Sequence, residues 1–222
     1  MTCITIGAAT LYLGDSEELL PKFDRADLLC TDPPYGINYG KLLNGKGDGF
    51  GNGDKNGWKS YDAPDWDAAR PSADMFAVLL ASADTQVIWG GNYFADLLPP
   101  RMRWLVWDKG QRDFSLADVE LAWTSDQKAA RAFTYPRALA LQDGKQHPTQ
   151  KPEALMKWCL GLYPNAQTII DPYMGVATTG VAAVQMGRKF IGIEREEKYF
   201  QIACRRIEDA QRQSDLFIGA AA

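Results

Sequence analysis

The chain alternates short apolar runs with amphipathic stretches, and the two periods sort it into elements. "ITIG" and "LYLG" are apolar or β-branched runs joined by "AAT", which predicts a hairpin or two short strands. Asp15 is placed to cap a helix, with Glu18 three residues on completing a capping box before Leu19 and Leu20. "ADLLC" is apolar and stops abruptly at Asp32-Pro33-Pro34, the pattern of a buried strand. From Pro71, "PSADMFAVLLASA" reads as a helix and "TQVIWG" as a strand. "NYFADLL" reads as a short helix stopped by Pro99-Pro100. "RWLVWD" and "VELAWTS" are two further strands. Then come an amphipathic helix "KPEALMKWCLGLY", a strand "QTIID", a helix "TTGVAAVQMG" with Gly187 at its C-cap, and a strand "KFIGIE". The last helix runs through "REEKYFQIACRRIEDAQ", and the tail "SDLFIGAAA" is expected to fray.

Two segments lack a period. Residues 36–67, containing "GKLLNGKGDGFGNGDKNGWKSYDAPDW", read as a long mobile loop, since structureless loops of this length in compact domains are functional or disordered. Residues 126–147 read as a short irregular insert. The back third alternates strand and helix, which predicts an α/β chain: a mostly parallel sheet with helices on both faces, in one domain over residues 1–222. Ligands of such sheets gather beyond the carboxyl ends of the strands. The residues there are Asp15, Asp32, Gly90, Asp108, Asp171 and Glu194.

Composition narrows the class. The 222 residues are 46% hydrophobic and 23% charged, an ordinary globular balance that suits a single domain. Lys plus Arg number 24 against 28 Asp plus Glu, a net −4, which counts against nucleic acid unless basic groups cluster locally. Four scattered cysteines and one histidine, His147, offer no metal cluster. Three of the cysteines lie in apolar surroundings and read as small core residues of a reducing compartment. The start carries no leader pattern, and no apolar run approaches the ~20 residues that span a bilayer, so a cytoplasmic protein is expected.

Two stretches could carry chemistry. In "IIDPYMGVATTG" a strand ends at Asp171, a turn carries Gly175, and a helix begins near Thr178; such a turn lets backbone N–H groups approach a nucleotide-like ligand. Glu194 follows Asp171 by 194 − 171 = 23 positions, near the spacing that grips ribose hydroxyls. The same residues would equally serve as a tight turn and a helix cap. In "TDPPYG", Pro34 lacks an N–H, and the Asp32 carboxylate and Pro33 carbonyl form a pair of acceptors suited to an –NH₂ group. Tyr35 could stack on a flat heterocycle. A rigid turn with a packed tyrosine would account for the prolines alone.

Together, "DPPY" at Asp32–Tyr35, "HPTQKP" at His147–Pro152 and "DPYMG.ATT" at Asp171–Thr179 resemble the amino-group DNA methyltransferases, from about Leu13 to Arg206. The order of the motifs is similar to the permuted β class, and small phage and prophage enzymes look alike. The resemblance implies a Rossmann-like, S-adenosylmethionine-dependent methyltransferase fold. It also implies site-specific transfer of a methyl group to the N6 amine of an adenine flipped out of double-stranded DNA. Asp32, Pro33, Pro34 and Tyr35 would be catalytic. Asp171, Tyr173 and Gly175 would line S-adenosylmethionine, Glu194 would hold its ribose, Asp15 would face its adenine amine, and Thr149 and Lys151 would meet its methionine end. Asp rather than Ser before the prolines favours adenine over the N4 amine of cytosine; an RNA amine stays open. The family's turn usually reads Phe-x-Gly-x-Gly, whereas this chain has Tyr173-Met174-Gly175-Val176-Ala177. That departure and the acidic balance leave open an inactive, cofactor-binding regulator. DNA contacts are expected from Lys128, Arg131 and Arg137 in the insert. A second basic stretch holds Arg101, Arg103, Lys109 and Arg112, and the long loop adds further lysines. A homodimer is left open.

Overall fold

The expected amino-terminal hairpin forms: β1 (Thr2–Ile6) turns at Gly7 into β2 (Ala9–Leu13) in antiparallel register. A computed structural model of the protein describes residues 2–38, 67–112, 117–142 and 150–219. Most of the long loop, together with His147 and Thr149, lies outside the described residues. The one-turn helix α1 (Ser16–Leu19) follows β2 and runs on as a 3-10 turn, Leu20–Lys22. Next come β3 (Ala26–Thr31), α2 (Ala73–Ala81), β4 (Ala83–Trp89), β5 (Trp104–Asp108), β6 (Val119–Thr124) and β7 (Arg131–Thr134). The chain continues through α3 (Arg137–Gln142), α4 (Glu153–Gly161), β8 (Thr168–Asp171), α5 (Thr178–Gln185), β9 (Lys189–Glu194) and α6 (Glu197–Gly219). Among the described residues no helix is long and apolar enough to cross a membrane.

The nine strands form one sheet in the order β1-β2-β9-β8-β3-β4-β6-β5-β7. The central block β2-β9-β8-β3-β4 is parallel, as the strand–helix alternation predicts. β6 enters antiparallel to both β4 and β5, and β7 closes the edge parallel to β5.

The central strands are apolar throughout because both faces are covered. Leu28, Cys30, Val87, Trp89 and Ile169 pack with α4, α5 and α6 on one face. Leu29, Ile88, Ile170 and Ile193 alternate with them and pack with α1, α2 and Phe94 on the other. Ser72 caps α2 by accepting a hydrogen bond from Met75 N at 3.1 Å. Three cysteines, Cys30, Cys159 and Cys204, are buried core residues, and Cys3 is exposed.

Three expectations are corrected. "NYFADLL" forms only a 3-10 turn, Gly91–Phe94, because a left-handed Gly90 and Pro99-Pro100 leave too few residues for a helix. The insert between Ser125 and His147 holds regular elements as far as Gln142: β7 finds hydrogen bonds along the exposed edge of β5, and α3 follows. The final helix continues to Gly219 instead of fraying after Gln211.

α5 can lie close on the sheet only where its surface is bare. A Cβ on Gly180 would stand 2.5 Å from Phe190 Cε1, a ring that is itself buried. Gly161, at the end of α4, has nothing within 4 Å of such an atom. Gly180→Val is therefore expected to lower unfolding stability by at least about 2 kcal/mol. Gly161→Ala should be neutral or stabilising by up to about 1 kcal/mol. Denaturant titration of both variants checks the contrast.

Candidate active site

The carboxyl edge of the parallel block collects the acids. β2 leads to Asp15, β9 ends at Glu194, β8 at Asp171, and β3 delivers Asp32. Adjacent parallel strands in register bring these ends together without any further device. The Thr31 hydroxyl donates to Asp171 Oδ1 at 2.7 Å, tying the proline corner directly to the glycine-bearing turn.

The corner is fixed from several sides. Asp67, buried at the far end of the long loop, accepts hydrogen bonds from Tyr35 N at 2.7 Å and Gly36 N at 2.8 Å. The Tyr35 hydroxyl donates to Asp32 Oδ1. Its ring lies against Gly90, where a Cβ would meet Tyr35 Cε1 at 2.1 Å and the φ of +70° also requires glycine. Tyr93 stacks on Tyr35 with ring centroids 4.6 Å apart. One face of the ring expected to hold a base is thus already covered, and Lys151 Nζ stands 5.9 Å from the ring centroid.

Lys151 is where the structure departs most from expectation. Its Nζ lies 2.5 Å from Asp32 Oδ2, 3.1 Å from Glu120 Oε2 and 3.4 Å from the Tyr35 hydroxyl. It belongs to the proline corner, with both carboxylates engaged, and in this arrangement is not available to a methionine carboxylate. Its side chain is 7% exposed, against 22% for Asp32 and 29% for Glu120, so the cation is the most buried of the three. Lys109 holds the other Glu120 oxygen at 2.7 Å. Burial would raise Glu120, but Lys151 and Lys109 outweigh it and bring the carboxyl down to about 2. Burial also opposes charge on Lys151, yet Asp32 and Glu120 hold its ammonium well above the ordinary range. Burial leaves Asp32 raised, against the pull of Lys151 and Tyr35.

The second bend follows Asp171. This carboxylate is buried, accepts from Thr31 and from Tyr173 N at 3.1 Å, and is pushed by burial to about 6. The Ser16 hydroxyl donates to the Pro172 carbonyl, and Met174 N donates to Ile193 O at 3.0 Å, locking the bend to its neighbours. Ala177 takes a left-handed conformation, φ 57° and ψ 43°, where glycine would carry no strain. It is fully buried in the core, while Val176 and Thr178 on either side line the cavity, so its methyl does not crowd a ligand. Arg206 braces this bend from α6, donating to Val176 O at 2.5 Å and pairing with Glu153 at 2.9 Å.

One cavity of about 300 Å³ serves both bends; its walls include Asp15, Thr31, Asp32, Lys151, Gly175 and Glu194. Glu194 accepts from Glu196 N at 2.7 Å and is pushed by burial to about 7. Among the described residues neither Asp171 nor Glu194 forms an ion pair. Buried carboxylates without cations suit a ligand that brings hydroxyl or amine donors. Asp15 spends one oxygen on capping α1, accepting from Glu17 N at 2.7 Å, and keeps its place in the cavity wall.

The expected basic contacts divide. Arg137 follows β7 at the carboxyl edge, its N–H donating to Lys109 O at 3.1 Å. Lys128 and Arg131 follow the far end of β6, beside the start of β5, toward the opposite edge of the sheet, and are not brought to the cleft. The second basic stretch is mostly committed to structure. Arg103 pairs with Asp126 at 2.7 Å, Lys109 with Glu120 and Arg112 with Asp108. Thr149 lies outside the described residues.

Glu194 makes a testable contribution to pH dependence. Its folded pKa of about 7 lies above the ordinary 4.5, so the folded protein resists ionisation that the unfolded chain allows. The resulting loss of stability is absent at low pH, grows between 4.5 and about 7, and is complete above. Glu194→Gln should stabilise the ligand-free protein at pH 8 by on the order of 2 kcal/mol, and at pH 5 by less than about 1 kcal/mol. Denaturation at the two pH values checks this.

Comparison with known proteins agrees with this geometry. The Type II methyltransferase M2.DpnII of Streptococcus pneumoniae is 35% identical over 119 residues, 44% of each chain. The DNA adenine methyltransferase YhdJ of Escherichia coli K12 is 43% identical over 84 residues, 37% of this chain and 29% of that one. These two matches span less than half of either relative. The crystal structure of the M1.HpyAVI–SAM complex shares the fold across 89% of this chain and 99% of that chain, with a TM-score of 0.58 at 23% identity. A family model described as DNA methylase matches residues 81–205, more than half of the chain, from the end of α2 through the glycine bend to α6. The chain belongs to the N6/N4 DNA methylase family.

Proposed function

We propose that this protein transfers a methyl group from S-adenosylmethionine to the exocyclic N6 amine of adenine in DNA. The observation that carries the reading is the shared cavity, which sets the acceptor-lined proline corner beside the glycine bend. Asp171, Tyr173, Gly175 and Glu194, with Asp15, would hold S-adenosylmethionine, whose hydroxyl and amine groups suit those acceptors; bound there, it supplies an electrophilic methyl on sulfur.

The chain's own residues act on the amine. An aromatic amine is a poor nucleophile because its lone pair is delocalised into the ring. The Asp32 carboxylate and the Pro33 carbonyl accept its two N–H groups, favour a pyramidal nitrogen and stabilise the positive charge that develops there. Once the nitrogen carries the methyl, its extra proton is acidic, and Asp32, raised by burial, takes it without a histidine. Pro33 and Pro34 keep the backbone from adapting away from this geometry.

An adenine within a duplex cannot enter such a cavity, so the base leaves the stack at a cost of a few kcal/mol. Stacking on Tyr35, whose ring already carries Tyr93, would recover part of that. Arg137 is the expected phosphate contact at this edge; Lys128 and Arg131 are too far along the sheet to share it. Adenine is favoured over cytosine by the acid preceding the prolines, and the adenine relative points the same way. The burial of the Ala177 methyl away from the cavity weakens one of the two grounds for an inactive regulator, the other being the acidic balance.

Asp32→Ala should lower methyl transfer to DNA at least about a hundredfold, while calorimetry shows S-adenosylmethionine binding within about threefold of wild type. Wild-type turnover in this variant would overturn the role of Asp32. Nucleoside digestion of the methylated DNA with mass spectrometry should give N6-methyladenine; N4-methylcytosine would overturn the base assignment.

A further inference from the structure

We infer that Glu120 is a positioning residue for the methyl transfer, acting through Lys151 on the carboxylate of Asp32. The inference rests on the assignment of Asp32 as acceptor of the amine. Four charges alternate along one line of contacts. Lys109 Nζ meets Glu120 Oε1 at 2.7 Å, Glu120 Oε2 meets Lys151 Nζ at 3.1 Å, and Lys151 Nζ meets Asp32 Oδ2 at 2.5 Å.

Each member comes from a different element. Asp32 follows β3 and Lys151 precedes α4. Lys109 follows β5, and Glu120 is the second residue of β6, which starts at the carboxyl edge because it runs antiparallel to β4. An ammonium has three N–H donors. If Lys151 turned its charge on Asp32 alone, the carboxylate would be largely neutralised and its hold on a substrate N–H group weakened. Glu120 divides that charge. Lys109 keeps Glu120 from swinging away.

Among the described residues the other groups facing Asp32 are the Tyr35 hydroxyl on Oδ1, Asp171 behind Thr31, and Cys30 two positions back on β3; none of these is a cation. Lys151 and Glu120 therefore bias Asp32 in opposite directions. Transfer requires ionised Asp32, so activity rises with pH through its titration. Without the negative charge of Glu120, Asp32 ionises more readily and the acid limb moves down. Without the positive charge of Lys151, the limb moves up.

The test is the profile of kcat/KM against pH, from about 5 to 9, for the full chain on DNA, with S-adenosylmethionine binding measured by calorimetry. Glu120→Gln should move the acid limb down and lower the plateau about tenfold, with cofactor binding retained. Lys151→Met should move the limb up. Should that variant fail to fold, Lys151→Arg keeps the charge and should leave the limb in place. A Glu120→Gln limb at the wild-type position, or shifted upward, overturns the inference. An Asp32→Asn control separates the two levels. If it turns over like wild type, the assignment of Asp32 fails. If it is inactive while Glu120→Gln leaves the limb unmoved, only the role of Glu120 fails.

Discussion

The hydrogen bond from the Thr31 hydroxyl to Asp171 joins the two halves of the site, and most of what the protein can do depends on it. It spans adjacent parallel strands, β3 and β8, at the edge where both chains leave the sheet. On one side the chain must turn through two prolines, on the other through a bend held by Ser16, Ile193 and Arg206. Because both bends are anchored to the same buried pair, neither can drift relative to the other by more than the sheet allows. That rigidity matters for a reaction whose main demand is alignment, where a displacement of about 1 Å can cost on the order of a hundredfold.

Electrostatics explain how an acidic chain can still serve such a site. Much of the basic complement near the cleft is consumed internally: Lys151 and Lys109 balance Asp32 and Glu120, and Arg112 pairs with Asp108. Lys151 is nearly sealed, so losing both of its acids would leave an uncompensated buried charge, typically costing about 3–5 kcal/mol. Asp171 and Glu194, by contrast, form no ion pair among the described residues and are raised by burial. The cleft therefore has one end whose charges are already balanced and another that gains when a ligand brings hydrogen-bond donors.

The parallel block and its two covered faces were legible in the sequence because uninterrupted apolar strands alternating with amphipathic helices leave few other packings. The same logic put Asp15, Asp32, Asp171 and Glu194 on one edge, since each ends a strand. Glu120 escaped because β6 runs the other way, so its site residue stands at the strand's beginning; "VELAW" holds an acid in an apolar run, which was the available signal. Asp67 escaped because 31 residues separate it from Gly36, with no local pattern to link them. Tyr93 lay in a stretch read as a helix, which would have aimed its ring elsewhere. β7 and the extension of α6 owe their form to tertiary partners or length, and short windows of sequence carry little of either.

The central claim is that both bends grip one bound molecule and its target from opposite walls of one cleft. A crystal structure with S-adenosylhomocysteine tests it most directly. The account predicts density in the cavity between Asp171 and Asp32, with the ribose against Glu194 and the sulfur directed toward the proline corner. Density elsewhere on the protein, or a sulfur turned away from Asp32 with the cleft between them closed, would contradict it.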